Sequence, residues 1–232
     1  MLQKPKHLAP KYGAQFKDRS IVDAYRHRPP YPAEIFTILA ELINGEPQHV
    51  LDVGCGTGNL SRYLVERSER LDAVDFSLPM LEQGKQLPNG NHPRLRWLHG
   101  SIEEIALDPP YALVTAGESL HWMDWKSVLP RFRELLIPGG YLAIVEHDTL
   151  PDPWYAVLRE IIPHYSTNQD FHSSDNTMLE TLEQHGLFQK VPRVAQRAAS
   201  KLCSAERPHK GIGSHRLLAG GVGAVPPARS LL

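Results

Sequence analysis

At 232 residues, 41% of them hydrophobic, the chain is long enough for one large domain with a well-buried core. Its 25 basic and 26 acidic residues nearly cancel, and no apolar run approaches the length of a membrane span. Two cysteines cannot make a disulfide framework and Met1-Leu-Gln-Lys-Pro-Lys-His7 carries no apolar leader, so a reducing cytoplasm is the expected compartment.

Residues 1–19 are polar and contain Pro and Lys, which reads as a mobile arm. Pro32 to Asn44 predicts a helix, with Ile35, Phe36, Ile38, Leu39, Leu42 and Ile43 on one side and Pro32 at its start. Val50-Leu-Asp-Val53 then suits a strand buried on both faces of a parallel sheet. Gly54, Gly56 and Gly58 follow at every second position, and Leu60 to Glu66 resumes at helical spacing. Missing Cβ atoms let such a loop approach a ligand, and the amides that open the helix point at whatever sits there. A tight strand-to-helix turn without a ligand is the plainer reading of the same residues. A dinucleotide fingerprint wants its third glycine at position 59, where this chain has Asn59, so the spacing is G-x-G-x-G.

Leu71-Asp-Ala-Val-Asp-Phe76 predicts a second strand ending in Asp75, about twenty residues beyond the first glycine. An acid there either accepts both hydroxyls of a ribose or is a simple strand-end charge. Ser77 is expected to cap a helix carrying Met80 and Leu81. Arg94 to His99 and Tyr111 to Ala116 read as the third and fourth strands, Val128 to Leu136 as an amphipathic helix stopped by Pro138-Gly-Gly140, and Tyr141 to Val145 as the fifth strand. This alternation is the pattern of an α/β, Rossmann-like doubly wound and mostly parallel sheet with helices on both faces. Helices over 151–165 and 178–185 and a sixth strand over 187–191 complete a domain of residues 20–192. Residues 193–232 break the pattern: seven Lys or Arg stand against the single acid Glu206, and Gly220-Gly-Val-Gly223 and Pro226-Pro227 replace alternating apolar residues. This tail reads as basic and disordered or atypical, with the final antiparallel strand missing or abnormal.

Asp52 with the G-x-G-x-G loop, Asp75-Phe-Ser-Leu-Pro-Met-Leu81, Leu120-His-Trp-Met-Asp124 and Leu136-Ile-Pro-Gly-Gly140 occur in the order of the class I S-adenosylmethionine-dependent methyltransferases. With Phe16, Tyr25 and Arg28-Pro-Pro-Tyr-Pro32, the chain resembles their type 11 small-molecule group over residues 16 to 192. The trans-aconitate methyltransferases are the nearest reaction model that this resemblance suggests.

The resemblance implies S-adenosylmethionine as cofactor and S-adenosylhomocysteine as product. Asp52, Gly54, Cys55, Gly56, Gly58 and Gly117 would form the methionine and ribose end of its site, and Asp75 would take the ribose. Phe76 and Ile102 would cover the adenine faces, with Ser101 where relatives place an acid beside the adenine amino group. Arg28 either pairs with the methionine carboxylate or stays solvated. His121 is a candidate base or a hydrogen-bonding wall residue, and His147 is the alternative base. Trp122, Trp125 and Trp154 are candidates for an acceptor pocket, although Trp at helical spacing also serves packing.

A small-molecule acceptor is expected, methylated at oxygen or nitrogen, a carboxylate among the options because it needs no base at neutral pH. No metal, membrane or specific nucleic-acid partner is expected, and monomer and homodimer stay equally open. The alternative is a catalytically impaired S-adenosylmethionine-binding protein with a defective C-terminus. An NAD(P) oxidoreductase is disfavoured by Asn59.

Overall fold

The structure, a computed structural model, describes residues 16, 18–25, 27–148, 157, 160–161, 164–165, 188–192, 197–198, 214–216 and 220–224. Two helices, α1 (Arg19–Tyr25) and α2 (Ala33–Leu42), precede the first strand β1 (His49–Val53). The glycine loop leads into α3 (Ser61–Leu64), which tightens into a 3₁₀ turn over Val65–Arg67. Next come β2 (Arg70–Asp75), α4 (Leu78–Gln86), β3 (Leu95–His99) and β4 (Tyr111–Gly117). A 3₁₀ turn at Leu120–Trp122 precedes α5 (Trp125–Leu135), and β5 (Leu136–Asp148) follows it. The remaining strands are β6 (Phe188–Pro192), β7 (Arg197–Ala198), β8 (Ser214–Arg216) and β9 (Gly220–Ala224).

Strands β3-β2-β1-β4-β5 lie side by side in that order, all parallel. Parallel pairing demands crossovers, so both faces are covered and the central strands are buried without alternation. Val50, Leu51 and Val53 of β1 and Tyr111 to Ala116 of β4 are accordingly buried. One face packs Leu51, Val53, Val114 and Ile144 against Val128, Leu129 and Phe132 of α5. The other packs Val50, Leu71, Leu113 and Ala143 against Ile35, Leu39 and Leu42 of α2 and against Leu60, Leu64 and Leu81. The start of α5 is capped by Asp124, whose carboxylate accepts from the Lys126 amide at 3.3 Å and the Ser127 hydroxyl at 2.5 Å.

An ionic network ties the N-terminal ends of the strands together, opposite the glycine loop. Asp72 of β2 is fully buried and accepts from Arg96 at 2.6 and 2.8 Å and from the Tyr111 hydroxyl at 2.6 Å. Arg70 adds a bond to the Asp108 carboxylate at 2.9 Å. Among the described residues no helix is long and apolar enough to cross a membrane.

The C-terminal end of the chain differs from the expectation of a missing final strand. β9 pairs antiparallel with β5 (Tyr141 opposite Gly223, Leu142 opposite Val222) and with β6 along its whole length. A strand is therefore present, and its abnormality is compositional: Gly220-Gly-Val-Gly-Ala224 offers backbone groups to two neighbours and almost no side chain. The tail also supplies β8 beside the end of β5, with His147 opposite His215, and β7 beside β8. Phe188 of β6 is buried against the α5 face. Of the helix expected over 151–165, Val157, Glu160, Ile161, His164 and Tyr165 are described, and each is helical. The helix expected over 178–185 lies outside the described residues.

Candidate functional site: a pocket at the glycine loop

A pocket opens where β1, β2 and β4 end. Its walls are Gly54 and Gly56 of the loop, Asp75 and Phe76 after β2, Gly100 to Glu103 after β3, and Glu118, Ser119, Trp122 and Met123 after β4. Phe16 and Tyr25 close it from the N-terminal segment. Open parallel sheets gather ligands at such strand ends.

The loop is shaped by demands that differ from glycine to glycine. A Cβ on Gly54 would stand 2.5 Å from the Ser119 Cβ, and one on Gly58 2.5 Å from the Trp97 ring. At both positions the protein itself fills the space. At Gly56, which has a φ of +56°, the nearest atoms to an added Cβ belong to Tyr25, at 3.7 Å and beyond. That room is the pocket, a cradle that a side chain would occupy.

Asp75 stands at the centre. Its two oxygens accept from the amides of Gly56 and Ser77, each at 2.7 Å, and the second lone pair of each oxygen is left for a ligand. Burial raises its pKa, against the pull of those two amides. Ser77 stands at the start of α4, yet its hydroxyl does not cap the helix: it donates to the Phe16 carbonyl at 2.6 Å and ties the N-terminal segment to the pocket.

Asp52 is 1% exposed and works inside the protein. Its carboxyl accepts from Ser61 at 2.5 Å and Thr115 at 2.9 Å, binding β1 to α3 and β4, beneath a small recess it shares with Gly54, Cys55, Gly117, Tyr31 and Arg28. Burial pushes its pKa from 3.8 up to about 6, although both hydroxyls pull it down. The folded state therefore holds this proton to higher pH than the unfolded chain does. The associated stability is fully present below about pH 4 and is lost as pH rises through about 6. Asp52→Asn removes this titration. Urea denaturation from pH 4 to 7 is expected to favour the variant progressively over the wild type, by on the order of 3 kcal/mol at the upper end. A constant difference across that range would contradict the assignment.

The remaining expected residues fall into three groups. Phe76, Ser101 and Ile102 line the pocket, with Ile102 buried. Cys55 is buried and its thiol is pushed well up by burial, so it is packing within the loop. Gly117 fits between Leu60 and the Tyr31 hydroxyl, each 2.9 Å from where a Cβ would stand. Arg28 lies over the Tyr25 ring, 4.5 Å from its centroid, and donates to the Tyr25 hydroxyl at 3.0 Å. It is exposed at the mouth of the Asp52 recess.

The aromatic candidates separate. Trp122 lines the pocket and meets Phe16 edge-on at 6.0 Å. The expectation that Trp125 lines an acceptor pocket is corrected: it is 6% exposed, packs in the core, and spends its indole N–H on the Leu120 carbonyl at 2.7 Å. His121 is half-buried with its ring 4.7 Å from that of Trp122, which holds the pocket wall in its place. His147 is placed by its backbone at the end of β5, and Trp154 lies outside the described residues. Sequence reasoning did not single out Tyr25 and Tyr31 as site residues. Both are held largely out of water, and burial raises the pKa of each. Their signal is the Phe16, Tyr25 and Arg28-Pro-Pro-Tyr-Pro32 pattern, which in the sequence carries only a family resemblance.

Comparisons with known proteins agree with this geometry. Residues 50–140 match the family model described as a methyltransferase domain. The chain is similar to a trans-aconitate 2-methyltransferase of Azoarcus sp. (strain BH72), 32% identical over 53% of this chain and 48% of that one. It is also similar to the one of Yersinia pestis (strain Pestoides F), 26% identical over 69% of this chain and 62% of that one. The chain thus spans about half to three-fifths of the length of these relatives. Among solved structures, a protein of Anaeromyxobacter dehalogenans described as a type II methyltransferase superposes with a TM-score of 0.51 at 25% identity, over 72% of this chain and 70% of that one. A Bacillus halodurans protein shares the fold, with a TM-score of 0.52 at 17% identity over 69% of this chain and 71% of that one. The strand order, the Asp75-centred pocket and the match agree with one another: residues 50–140 are similar to a methyltransferase domain, and the pocket lies at the strand ends of that segment.

Proposed function

We propose that the chain transfers a methyl group from S-adenosylmethionine to an oxygen of a small-molecule carboxylate, in the reducing interior of the cell. The observation that carries this reading is the cradle at Gly56 beside Asp75, a pocket with room for a ligand and an acceptor pair for its hydroxyls. S-adenosylmethionine brings a methyl already activated by its sulfonium, so the chain's own work is binding, orientation and exclusion of water. Asp75 would hold the ribose. The recess of Gly54, Gly117 and Asp52 would take the methionine end, with Arg28 at its mouth for the carboxylate. Phe76, Ile102 and Met80 would enclose the base.

Transfer is an in-line displacement, so rate depends on how the walls set distance and angle between acceptor and methyl. Trp122 and the aromatic residues Phe16 and Tyr25 border the pocket and would keep water from it. A carboxylate acceptor is already ionised at neutral pH and needs no base. His121 and His147 would matter only for an acceptor that must lose a proton. The carboxylate is favoured by the names of the two trans-aconitate relatives.

The test is transfer of labelled methyl from S-adenosylmethionine to a panel of unsaturated tricarboxylates, dicarboxylates, amines and phenols. Ester formation on a tricarboxylate, with a rate flat between pH 6 and 8, is the expected result. Turnover only on amines or phenols would overturn the carboxylate assignment. Cofactor binding with no turnover on any acceptor would instead favour the impaired-protein reading, whose physical basis is the glycine-built β9.

A further inference from the structure

The base end of the pocket carries a departure from the acid expected there: Ser101, exposed, with no charge of its own. A serine hydroxyl is both donor and acceptor, so by itself it accepts from an amino group or donates to a carbonyl with equal ease. Two residues on, Glu103 removes that ambiguity. Its Oε2 accepts the Ser101 hydroxyl proton, and its own backbone amide donates to Ser101 Oγ at 3.3 Å. A carboxylate accepts only, so the one proton of the hydroxyl is spent on Glu103. One lone pair is taken by the amide, and one lone pair is left.

The Glu103 side chain is itself held. Its Oε1 accepts from the Asp124 amide at 3.1 Å, at the start of α5. Arg131 of α5 grips the same turn from below, donating to the Glu103 carbonyl at 2.7 Å and to the Ile105 carbonyl. Both Ser101 and Glu103 line the pocket. Sheet order sets which end of a ligand meets them. β2, bearing Asp75, lies between β1 and β3, and the Gly100 amide donates to the Asp75 carbonyl at 3.0 Å. A nucleoside held by its ribose at Asp75, with its amino-acid end toward β1 and β4, turns its base toward the end of β3.

We propose that Glu103 is a positioning residue that makes this pocket select an amino-bearing purine. Acting through Ser101, it fixes the hydroxyl as an acceptor, so the site takes the N6 amino group of adenine and rejects the O6 carbonyl of hypoxanthine. This rests on the cofactor reading above and deepens it: selectivity that an acid would supply directly is assembled here from a serine and a carboxylate two residues away. The same carboxylate ties the base end to Asp124, beside the His121-Trp122 turn.

The experiment compares S-adenosylhomocysteine with S-inosylhomocysteine by calorimetric titration of the full chain, with far-UV circular dichroism as a check of folding. The wild type is expected to prefer the adenosyl ligand by at least roughly tenfold, the value of one well-made hydrogen bond replaced by two facing acceptors. In Glu103→Gln the side-chain amide donates to Ser101 Oγ and frees its proton, so the preference should collapse toward unity. Ser101→Ala, on an exposed residue, should collapse it as well, and Ser101→Asp combined with Glu103→Gln should restore it. A Glu103→Gln protein that keeps the wild-type ratio overturns the proposal, including the case in which both ligands weaken equally, the behaviour of a residue that only holds the turn. A wild type that binds both ligands alike also overturns it. A folded wild type that binds neither ligand fails earlier, at the cofactor reading itself.

Discussion

Gly56→Val is expected to weaken S-adenosylhomocysteine binding by roughly 100-fold or more while the protein stays folded, because the new methyls fill space meant for the ligand. The position is unusual among its neighbours. An added Cβ at Gly54 or Gly58 collides with Ser119 or Trp97 and strikes at folding, whereas at Gly56 it meets nothing closer than 3.7 Å. The φ of +56° adds a strain of about 1–2 kcal/mol for an L-residue, and the Asp75 bond to the Gly56 amide holds the backbone in place against it. Binding and stability should therefore separate: a large fall in affinity by calorimetry, with a modest fall in midpoint by thermal denaturation. Retained affinity would show that the loop is a turn and no more.

The second large effect is on stability and leaves the pocket alone. Asp72→Ala is expected to cost about 3 kcal/mol, the lower end for breaking a buried ion pair, since Arg96 keeps access to water. Asp72 is fully buried, whereas the Arg96 side chain is 42% exposed and lies 3.7 Å from Asp108, which can take over part of its charge. The Tyr111 hydroxyl has no such escape: it sits in a 0% exposed residue and donates to Asp72 at 2.6 Å. Removing the carboxylate strands that hydroxyl at the start of β4. Urea denaturation measures the loss. Affinity for S-adenosylhomocysteine at temperatures where the variant is folded should match the wild type, since the network lies at the opposite ends of the strands. A stability within 0.5 kcal/mol of the wild type would show that the network is ornamental, as scattered surface pairs are.

Much of this was legible in the sequence because burial on both faces leaves a plain mark. Val50, Leu51, Val53 and the run from Tyr111 to Ala116 read as central parallel strands, and so they fold. Asp75 was legible from its distance to the first glycine. Other features lie below the resolution of pattern. The spacing of Trp125 fits a pocket wall and a core residue alike, and only its indole bond to Leu120 decides. Asp52 carries the motif, but that its carboxyl faces Ser61 and Thr115 depends on α3 and β4 closing over it. Ser77 resembles a helix cap, and competition from the Phe16 carbonyl redirects it. β9 carries almost no side-chain signal: its place comes from backbone pairing between β5 and β6, which a period-two pattern of apolar residues cannot announce when the residues are glycines. Glu103 stands outside every sequence motif of the site, and its bond to Ser101 makes it part of the pocket wall.

The cofactor site is tested most directly by titration of S-adenosylhomocysteine into the full wild-type chain, repeated with NADH as competitor. Saturable binding at one site per chain is expected, displaced by S-adenosylmethionine and indifferent to NADH. No saturable heat from a sample shown to be folded by circular dichroism, or displacement by NADH, would contradict it.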